Sequence, residues 1–328
     1  MRVAVDAMGG DLAPKEQVAG ALAAVGLDTD LEILLVGRKK DLEAELAAQG
    51  GRPDSITIVH ASEIVSMHES PVEAIKRCPD SSILKALELV RDGKADGMIG
   101  AGSTGAAVAA ALMILKRVPG VRRPGIAVPL PALNESGVCL LIDAGANSAC
   151  RPHHLEQYGI MGANYFREVY GVASPRVAVV SIGEEDAKGN DLTREAAKLL
   201  RKTDVNFVGN TEGIGLFGGD CEVAVAEGFV GNTVLKAAQG AAKMVLGKIH
   251  QRIGKEQPKL MRELIGMTDY AELGGAPLLG ANGLVLICHG RSDRRAISNA
   301  ISTCARASHH QVQEKIVAGL DRHTSASA

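Results

Sequence analysis

Hydrophobic residues of this chain form short continuous runs rich in Val and Ile, separated by longer segments with helical periodicity. A continuous apolar run is typical of a strand that is buried on both faces. Strands are predicted at residues 3–6, 32–36, 56–60, 96–99, 126–129, 138–143, 176–182, 205–208 and 284–288. Helices are predicted at residues 15–25, 41–49, 81–91, 106–115, 153–170, 193–202, 232–251 and 293–307.

Strands that alternate with helices indicate an α/β fold, with a mostly parallel, Rossmann-like sheet and helices on both faces. The 328 residues exceed the usual size of one domain but fit one α/β unit with two lobes around a cleft. We therefore expect a single α/β domain over residues 1–328. An amphipathic helical tip is expected at 248–267.

Glycine-rich or acidic segments follow most of the predicted strands, where ligands bind in folds of this type. These segments are residues 6–11, 100–105, 143–147, 182–186 and 289–290. Each one alone is explained by a tight turn, by capping of the helix near Pro14 through Asp6 or Asp11, or by Asp143 orienting backbone amides. Their convergence at one end of one sheet favours a binding site.

The segment Gly100-Ala-Gly-Ser-Thr-Gly105 lies between a predicted strand and a predicted helix. Unpaired N–H groups and the positive end of the helix dipole bind anions at such a position. The spacing also fits the G-x-G-x-x-G pattern of dinucleotide-binding proteins, which requires an acidic residue about 20 positions further on. No Asp or Glu occurs from Met98 to Leu133, so a phosphate site is favoured over a nicotinamide cofactor.

Composition narrows the class of protein. A net charge of −2, 2% aromatic residues and no Trp argue against a nucleic-acid binder. The six cysteines show no C-x-x-C spacing, so reduced thiols are expected. The longest apolar run, residues 106–115, is about half of a membrane span, and no signal-peptide-like run precedes the first strand. We therefore expect a cytoplasmic protein that does not cross the membrane.

Taken in order, the strand-exit segments resemble those of the bacterial phosphate acyltransferases of phospholipid synthesis, from the first residues to about Ala300. The resemblance rests on residues 6–11, 101–106, 143–147, 182–186 with 188–189, 227–232, 274–280 and 289–290. It implies transfer of a long acyl chain from the acyl carrier protein to inorganic phosphate, which gives acyl-phosphate for glycerol-3-phosphate acylation. It also implies a phosphotransacetylase or isocitrate-dehydrogenase-like architecture and a homodimer.

The chemistry that the resemblance implies needs an anion cradle, a donor for an oxyanion and a group that manages the proton of the leaving thiolate. Phosphate is itself the nucleophile, so no Ser or Cys nucleophile is required, and no G-x-S-x-G motif is present. Catalytic roles are expected for His289 first and Lys188 second. The expected substrate-binding residues are Asp6, Gly9, Gly10, Gly102, Ser103, Thr104, Gly105, Asn147 and Asn232.

Both catalytic assignments have a structural alternative. Lys188 follows the acidic run 184–186, where an exposed lysine usually only offsets neighbouring acids. A lone histidine is more often structural, although the position of His289 beside Gly290 at a strand end favours acid–base chemistry or charge stabilisation. No cofactor and no metal are expected, because the adjacent histidines 153–154 point apart on a helix and the acidic run 184–186 suits a solvated turn.

Two segments depart from the family pattern. Glu227 and Val230 stand where Asp and Thr are usual, and Val230 lacks a hydroxyl, so no ligand contact is assigned to it. The segment 77–80 replaces a more basic run, which weakens the case for contact with the acidic carrier protein there. The segment 122–123 and Arg151 remain candidates for docking that protein, with isolated surface arginines as the alternative.

Basic residues flank apolar ones in the segment 248–267, which predicts an amphipathic hairpin. Its apolar residues are Ile249 and Ile253 before Pro258, and Leu260, Met261, Leu264 and Ile265 after it. Such helices lie on anionic membranes or pack on the protein's own core or a dimer partner. In the family this tip is associated with peripheral membrane contact. The expected partners are therefore inorganic phosphate, acyl carrier protein, a second copy of the chain, and the anionic inner face of the plasma membrane or a membrane-bound glycerol-3-phosphate acyltransferase.

Three other functions stay open. A short-chain phosphate acyltransferase that uses acyl-CoA would share the chemistry. A nicotinamide-dependent dehydrogenase on a related fold is disfavoured by the missing ribose-binding acid. A non-enzymatic peripheral membrane adaptor would explain the basic amphipathic segment but not the strand-exit motifs.

Overall fold

A computed structural model describes residues 1–65, 71–253, 256–268 and 274–326. The described residues form two compact units, one of residues 1–124 and 274–326 and the other of residues 125–268. Each unit contains its own strands and helices. The single catalytic domain over residues 1–328 stays a prediction.

The strands and helices follow one another along the chain as the apolar pattern predicts. The strands are β1 (Arg2–Asp6), β2 (Glu32–Gly37), β3 (Ile56–His60), β4 (Gly97–Gly100), β5 (Gly125–Pro131), β6 (Val138–Ile142), β7 (Arg176–Val180), β8 (Asn206–Thr211), β9 (Val223–Val225), β10 (Ala276–Leu279) and β11 (Leu284–Ile287). The helices are α1 (Lys15–Leu27), α2 (Lys39–Ala48), α3 (Pro71–Arg77), α4 (Ser82–Arg91), α5 (Thr104–Ile114), α6 (Pro152–Tyr170), α7 (Asp191–Leu200), α8 (Gly215–Gly218), α9 (Gly228–Ile253), α10 (Pro258–Thr268), α11 (Arg294–His309) and α12 (Val312–Ala326).

In the first unit the strands are ordered β3-β2-β1-β4-β11-β10. Neighbouring strands are parallel from β3 to β11, and β10 pairs antiparallel with β11. The register pairs Asp6 with Gly100, and Gly100 with Ile287. The carboxyl ends of β1, β4 and β11 therefore lie side by side, which brings the loops that follow them together.

In the second unit the strands are ordered β5-β6-β9-β7-β8. β5 is antiparallel to β6, and the pairings from β6 to β8 are parallel. Ile142 at the end of β6 pairs with Val225 at the end of β9. The loops that follow these two strands therefore start beside each other, and the predicted mostly parallel sheet is confirmed in both units.

Glycines allow close packing of helices in both cores. A Cβ on Gly20 of α1 would lie 2.5 Å from Cβ of Ile297, so α1 and α11 approach closely in the first unit. In the second unit, a Cβ on Gly162 of α6 would lie 2.7 Å from Cγ1 of Val223. Helix α6 also carries the fully buried side chain of Phe166. Burial of a side chain of this size is worth about 1.5–3 kcal/mol, so α6 contributes strongly to this core.

The predicted elements are confirmed, with the largest shift at α9, which begins at Gly228 where residue 232 was predicted. The prediction omits the short elements α3, α8, β9 and β10 and the longer α12. The small polar residues 323–328 favour a frayed tail, but α12 continues to Ala326, and Val312, Ile316 and Leu320 bury one face of it. Residues 327–328 lie outside the described part of the chain.

Candidate functional site

The loops after β1, β4 and β11 meet in the first unit. The backbone N–H of Asp11 donates to the carbonyl of Gly290 at 2.7 Å. A Cβ on Gly10 would lie 3.1 Å from the carbonyl oxygens of both Ala101 and Gly290. Asp6, Gly9, Gly10, Gly102 and Gly290, which we call the Asp6 cluster, thus come from loops far apart in the sequence.

Two glycines of the Asp6 cluster have no room for a side chain. A Cβ on Gly9 would lie 2.6 Å from Oδ2 of Asp6 and 3.0 Å from the backbone nitrogen of Gly102. Gly10 has a φ of +107°, a conformation that other residues rarely adopt. Backbone amides rather than side chains therefore form this surface, as in loops that bind phosphate.

Asp6 stabilises the loop that follows β1. Its side chain is 3% exposed, and Oδ1 accepts the N–H of Met8 at 3.3 Å. Burial raises the pKa of Asp6, and hydrogen bonds from the Ser82 side chain and from the backbone of Met8 and Gly9 act in the opposite direction. The carboxylate therefore holds the loop by hydrogen bonds to its own segment and to α4.

Gln17 holds the same loop from α1. Its Nε2 donates to the carbonyl of Gly9 at 2.7 Å, and its Oε1 is buried without a hydrogen-bond partner among the described residues. Neither Gln17 nor Ser82 was predicted from the sequence. Neither residue stands in a glycine-rich segment, and polar residues are common in the first turn of a helix. The sequence therefore carries no signal that distinguishes these two residues from ordinary polar residues of a helix.

The predicted phosphate-binding residues of the second loop form the start of α5. Ser103 is the N-cap, and its Oγ accepts the N–H of Ala106 at 3.4 Å. Thr104 and Gly105 follow in the first turn and are exposed. The first N–H groups of a helix have no partner within the helix, so this turn presents donors next to the Asp6 cluster.

His289 is exposed and directly precedes Gly290 of the Asp6 cluster. Its Nδ1 accepts the backbone N–H of Arg291 at 3.2 Å, and its carbonyl accepts the N–H of Ser292 at 2.9 Å. A neutral imidazole whose Nδ1 accepts a hydrogen bond carries its proton on Nε2. His289 can therefore donate a hydrogen bond through Nε2.

A second cluster of loops forms in the second unit around Asp143, which is fully buried. Its carboxylate accepts backbone N–H groups at 2.8–3.1 Å from Ile126, Gly145, Ala146 and Asn147. Burial raises the pKa of Asp143, and these hydrogen bonds oppose the shift. One carboxylate thus organises the loop 143–147, in the structural role that the sequence suggested for it.

Asn147 is buried within the same loop. Its Nδ2 donates to Oδ2 of Asp143 and to the hydroxyl of Tyr158, both at 3.0 Å. A side-chain amide has two N–H donors, so both are used inside the protein. A direct contact between Asn147 and substrate stays a prediction.

Helix α9 begins against this loop. A Cβ on Gly231 would lie 2.0 Å from the carbonyl oxygen of Asp143, and one on Gly228 would lie 2.5 Å from that of Asn147. Asn232 is exposed, and a Cβ on Gly145 would lie 3.5 Å from its Cβ. Asn232 therefore stands at the rim of the loop 143–147. These residues, together with Tyr158, form what we call the Asp143 cluster.

Lys188 is exposed in the loop after β7. Its backbone N–H donates to the carbonyl of Glu185 at 2.9 Å, and a Cβ on Gly183 would lie 2.8 Å from Cγ of Lys188. The stem of the lysine therefore packs over Gly183. Its catalytic role stays a prediction.

The described residues contain neither a disulfide nor a cluster of side chains that could bind a metal ion. All six cysteines are free thiols, and the Sγ atoms of Cys139 and Cys221 are 3.9 Å apart. No group of three or more His, Cys, Asp or Glu side chains in the described ranges is placed to hold a metal ion. Within the same ranges, every helix is too short or too polar to traverse a bilayer.

Comparison with known proteins places the chain in a family. The family model described as "Fatty acid synthesis protein" matches residues 1–315. The phosphate acyltransferase of Pelotomaculum thermopropionicum is 46% identical, with 98% of this chain and 95% of that protein covered. The phosphate acyltransferase of Desulforamulus reducens is 48% identical, with 92% of both covered.

A solved structure supports the fold. The phosphotransacetylase from Streptococcus pyogenes superimposes with a TM-score of 0.65 at 21% identity, over 94% of each chain. This likeness confirms the predicted phosphotransacetylase-like α/β architecture. On the match over residues 1–315 and the identities above 40%, the chain belongs to the phosphate acyltransferase family of acyl-transferring enzymes.

Proposed function

We propose that the protein transfers a long acyl chain from the thioester of acyl carrier protein to inorganic phosphate, and so forms acyl-phosphate for phospholipid synthesis. The Asp6 cluster carries this proposal, because its surface is made of backbone amides beside the N-terminus of α5. Membership of the phosphate acyltransferase family supports the acyl-transfer chemistry.

Inorganic phosphate is proposed to bind at the Asp6 cluster. Packed glycines let the backbone N–H groups of Gly10 and Gly102 approach an anion, whereas the N–H of Gly9 is hydrogen-bonded to Asp6. The first turn of α5 adds the donors of Thr104 and Gly105. The Asp6 carboxylate accepts hydrogen bonds from its own loop and from Ser82, so it holds the loop in place for the anion. The geometry therefore suits an anion such as free phosphate, and the missing ribose-binding acid disfavours a dinucleotide.

In the proposed reaction a phosphate oxygen attacks the thioester carbonyl. A C–O bond forms and the carbonyl oxygen becomes an oxyanion. Collapse of this intermediate breaks the C–S bond and releases a thiolate, which takes up the proton lost by the attacking hydrogen phosphate. Nε2–H of His289 is the proposed donor to the oxyanion, with Lys188 the second candidate for charge stabilisation. Asn147 and Asn232 are proposed to position substrate from the Asp143 cluster.

Thiol release tests the reaction directly. The full-length protein is incubated with palmitoyl-acyl carrier protein, with and without phosphate, while free thiol is measured and acyl-phosphate is trapped with hydroxylamine. We expect thiol release that depends on phosphate and matches the trapped product. Activity with acetyl-CoA only would favour the short-chain alternative, and reduction of a nicotinamide cofactor would favour the dehydrogenase.

Substitution of His289 tests its role. His289→Ala is expected to lower kcat by about 10²–10³-fold, the usual cost of removing an oxyanion donor. Arg291→Ala is a matched control, because it removes an exposed side chain but leaves the N–H that holds Nδ1. Near-normal turnover of His289→Ala would remove this residue from the mechanism, and Lys188→Ala is judged in the same way.

We also propose that the protein contacts the anionic inner face of the membrane through α10. Leu260 and Ile265 are 40% and 47% exposed, whereas Met261 is buried. Lys255, one of the flanking basic residues of the predicted hairpin, lies outside the described residues. Wild type is expected to float with anionic liposomes, and a variant with Asp at Leu260, Leu264 and Ile265 is not. Equal flotation of the two proteins would contradict the proposal.

A homodimer is proposed from the family resemblance. Light scattering of the purified protein is expected to give twice the mass of the 34.1 kDa chain. A monomer mass at micromolar concentration would refute it.

A further inference from the structure

An apolar cavity of about 280 Å³ lies in the second unit and has no role in the chemistry described above. Its walls include Leu130 of β5, Phe217 of α8, and Leu235, Ala238 and Ala242 of α9. Gln239 is the one polar side chain among the described residues that line it. The volume is close to the lower limit of about 300 Å³ for small-molecule sites.

Helix α9 connects this cavity to the Asp143 cluster. The helix begins against the loop 143–147 and carries Asn232 at the rim of that loop. Ala238 and Ala242 follow Asn232 by 6 and 10 residues, which at the rise of an α-helix places them roughly 9 and 15 Å further along its axis. The cavity therefore lies beside the second to fourth turns of the helix whose first turn meets the proposed substrate-positioning residues.

We propose that this cavity binds the distal part of the acyl chain of the donor, and this inference rests on the proposed function. An extended alkyl chain advances about 1.25 Å per carbon, given C–C bonds of about 1.5 Å at tetrahedral angles. A chain whose carbonyl lies near Asn232 and that runs along α9 thus reaches Ala238 at roughly its seventh carbon and Ala242 at roughly its twelfth. A six-carbon acyl group passes Leu235 but ends before Ala238.

The side chains of the cavity suit an unbranched chain. The small residues Ala238 and Ala242 lie one turn apart and leave space along the helix, while Leu130, Phe217 and Leu235 supply apolar walls. Burial of one methylene group is worth about a factor of four in affinity. The cavity would therefore make the enzyme select donors with long acyl chains. Gln239 would reduce that selectivity, because it places a polar group against the chain.

Chain-length profiles of four proteins test this assignment. kcat/KM is measured with hexanoyl- and palmitoyl-acyl carrier protein at saturating phosphate. Ala242→Phe is expected to lower the palmitoyl value at least tenfold and to leave the hexanoyl value within twofold. Gln239→Leu is expected to raise the palmitoyl value about fourfold. Ala237→Phe is the control, because Ala237 is exposed on the same helix and does not line the cavity, so both values should stay within twofold.

Unchanged palmitoyl-to-hexanoyl ratios in both cavity variants would overturn the inference. A second result would also overturn it: Ala242→Phe lowers kcat/KM equally with both donors and changes the oligomeric mass of the protein. The cavity would then be covered by a second copy of the chain. If Ala242→Phe fails to fold, the ratio measured for Gln239→Leu decides. Absence of transfer from any donor by wild type would contradict the proposed function, whereas normal transfer with unshifted ratios contradicts the cavity alone.

Discussion

The contact between α9 and the loop 143–147 predicts opposite effects for one substitution at two glycines of the same helix. Gly231 has no room for a methyl group, because its Cβ would lie 2.0 Å from the carbonyl oxygen of Asp143. A methyl group on Gly240 would have no neighbour within 4 Å among the described residues. We expect Gly231→Ala to destabilise the protein and Gly240→Ala to stabilise it.

The magnitudes follow from the two surroundings. Replacing an exposed helical glycine with alanine gains about 0.8–1.0 kcal/mol, which is the whole effect expected at Gly240. Gly231→Ala has the same gain, but the helix and the loop must separate by about 1 Å, at an overpacking cost of about 1–3 kcal/mol. Loss of one hydrogen bond to Asp143 adds about 1 kcal/mol. The net destabilisation at Gly231 is therefore about 1–3 kcal/mol.

Calorimetry measures this difference. The two variants differ by about 2–4 kcal/mol, which corresponds to a gap in Tm of roughly 6–13 °C for units of about 150 residues. We also expect slower thiol release by Gly231→Ala, since the loop 143–147 is displaced, and unchanged release by Gly240→Ala. Equal Tm values for the two variants would refute the inference that this glycine is required for the close approach.

Three further outcomes are expected. Burial raises the pKa of Glu222, but hydrogen bonds from Arg176 outweigh it and lower the pKa overall. The ion pair with Arg176 therefore stabilises the fold above pH 4.5, and this stabilisation is lost as the pH falls through the folded-state pKa. Glu222→Gln should therefore cost about 1–3 kcal/mol at pH 7 in urea unfolding and less in acid, and a gap independent of pH would contradict this. Burial raises the pKa of Cys288 and Cys304 to about 12, so mass spectrometry should find neither alkylated in the native protein at pH 8, and rapid labelling would argue against their burial. Asn147→Ala should lower the free energy of unfolding by about 1–3 kcal/mol, as it leaves buried partners unpaired, and wild-type stability would show that the amide is dispensable.

Nine of the eleven strands in the described residues were predictable, mostly because they are short apolar runs that end at a polar or glycine residue. β9 was not predicted, because the apolar run that contains it covers only residues 223–226, between Glu222 and Glu227. α12 carried a usable signal in the spacing of Val312, Ile316 and Leu320, but the small polar residues that follow them favoured a frayed tail. Periodicity thus predicts an element well where the pattern is long and its ends are marked.

The candidate site was predictable to the level of loops rather than of individual contacts. The rule that parallel strands end at one edge predicted that Gly10 and Gly290 lie close together, and the structure confirms it. The sequence does not determine which neighbour a side-chain amide faces, so it could not predict that Asn147 bonds Asp143 and Tyr158. Gln17 was missed for a related reason, because its contact with the loop depends on tertiary packing.

The ionisation of Asp143 also determines the pH range in which the loop 143–147 is ordered. The loop 143–147 is ordered during folding by hydrogen bonds to one charge, so a ligand does not have to supply the roughly 1–2 kcal/mol per residue needed to immobilise a free backbone. Protonation would convert one of the two carboxylate oxygens into a hydroxyl donor and weaken the hydrogen bonds that order the loop. Since burial raises the pKa of Asp143 above 3.8, this weakening begins at a higher pH than that at which an ordinary aspartate titrates. The acid limit of the enzyme would then reflect the rigidity of a loop and not the ionisation of a reacting group.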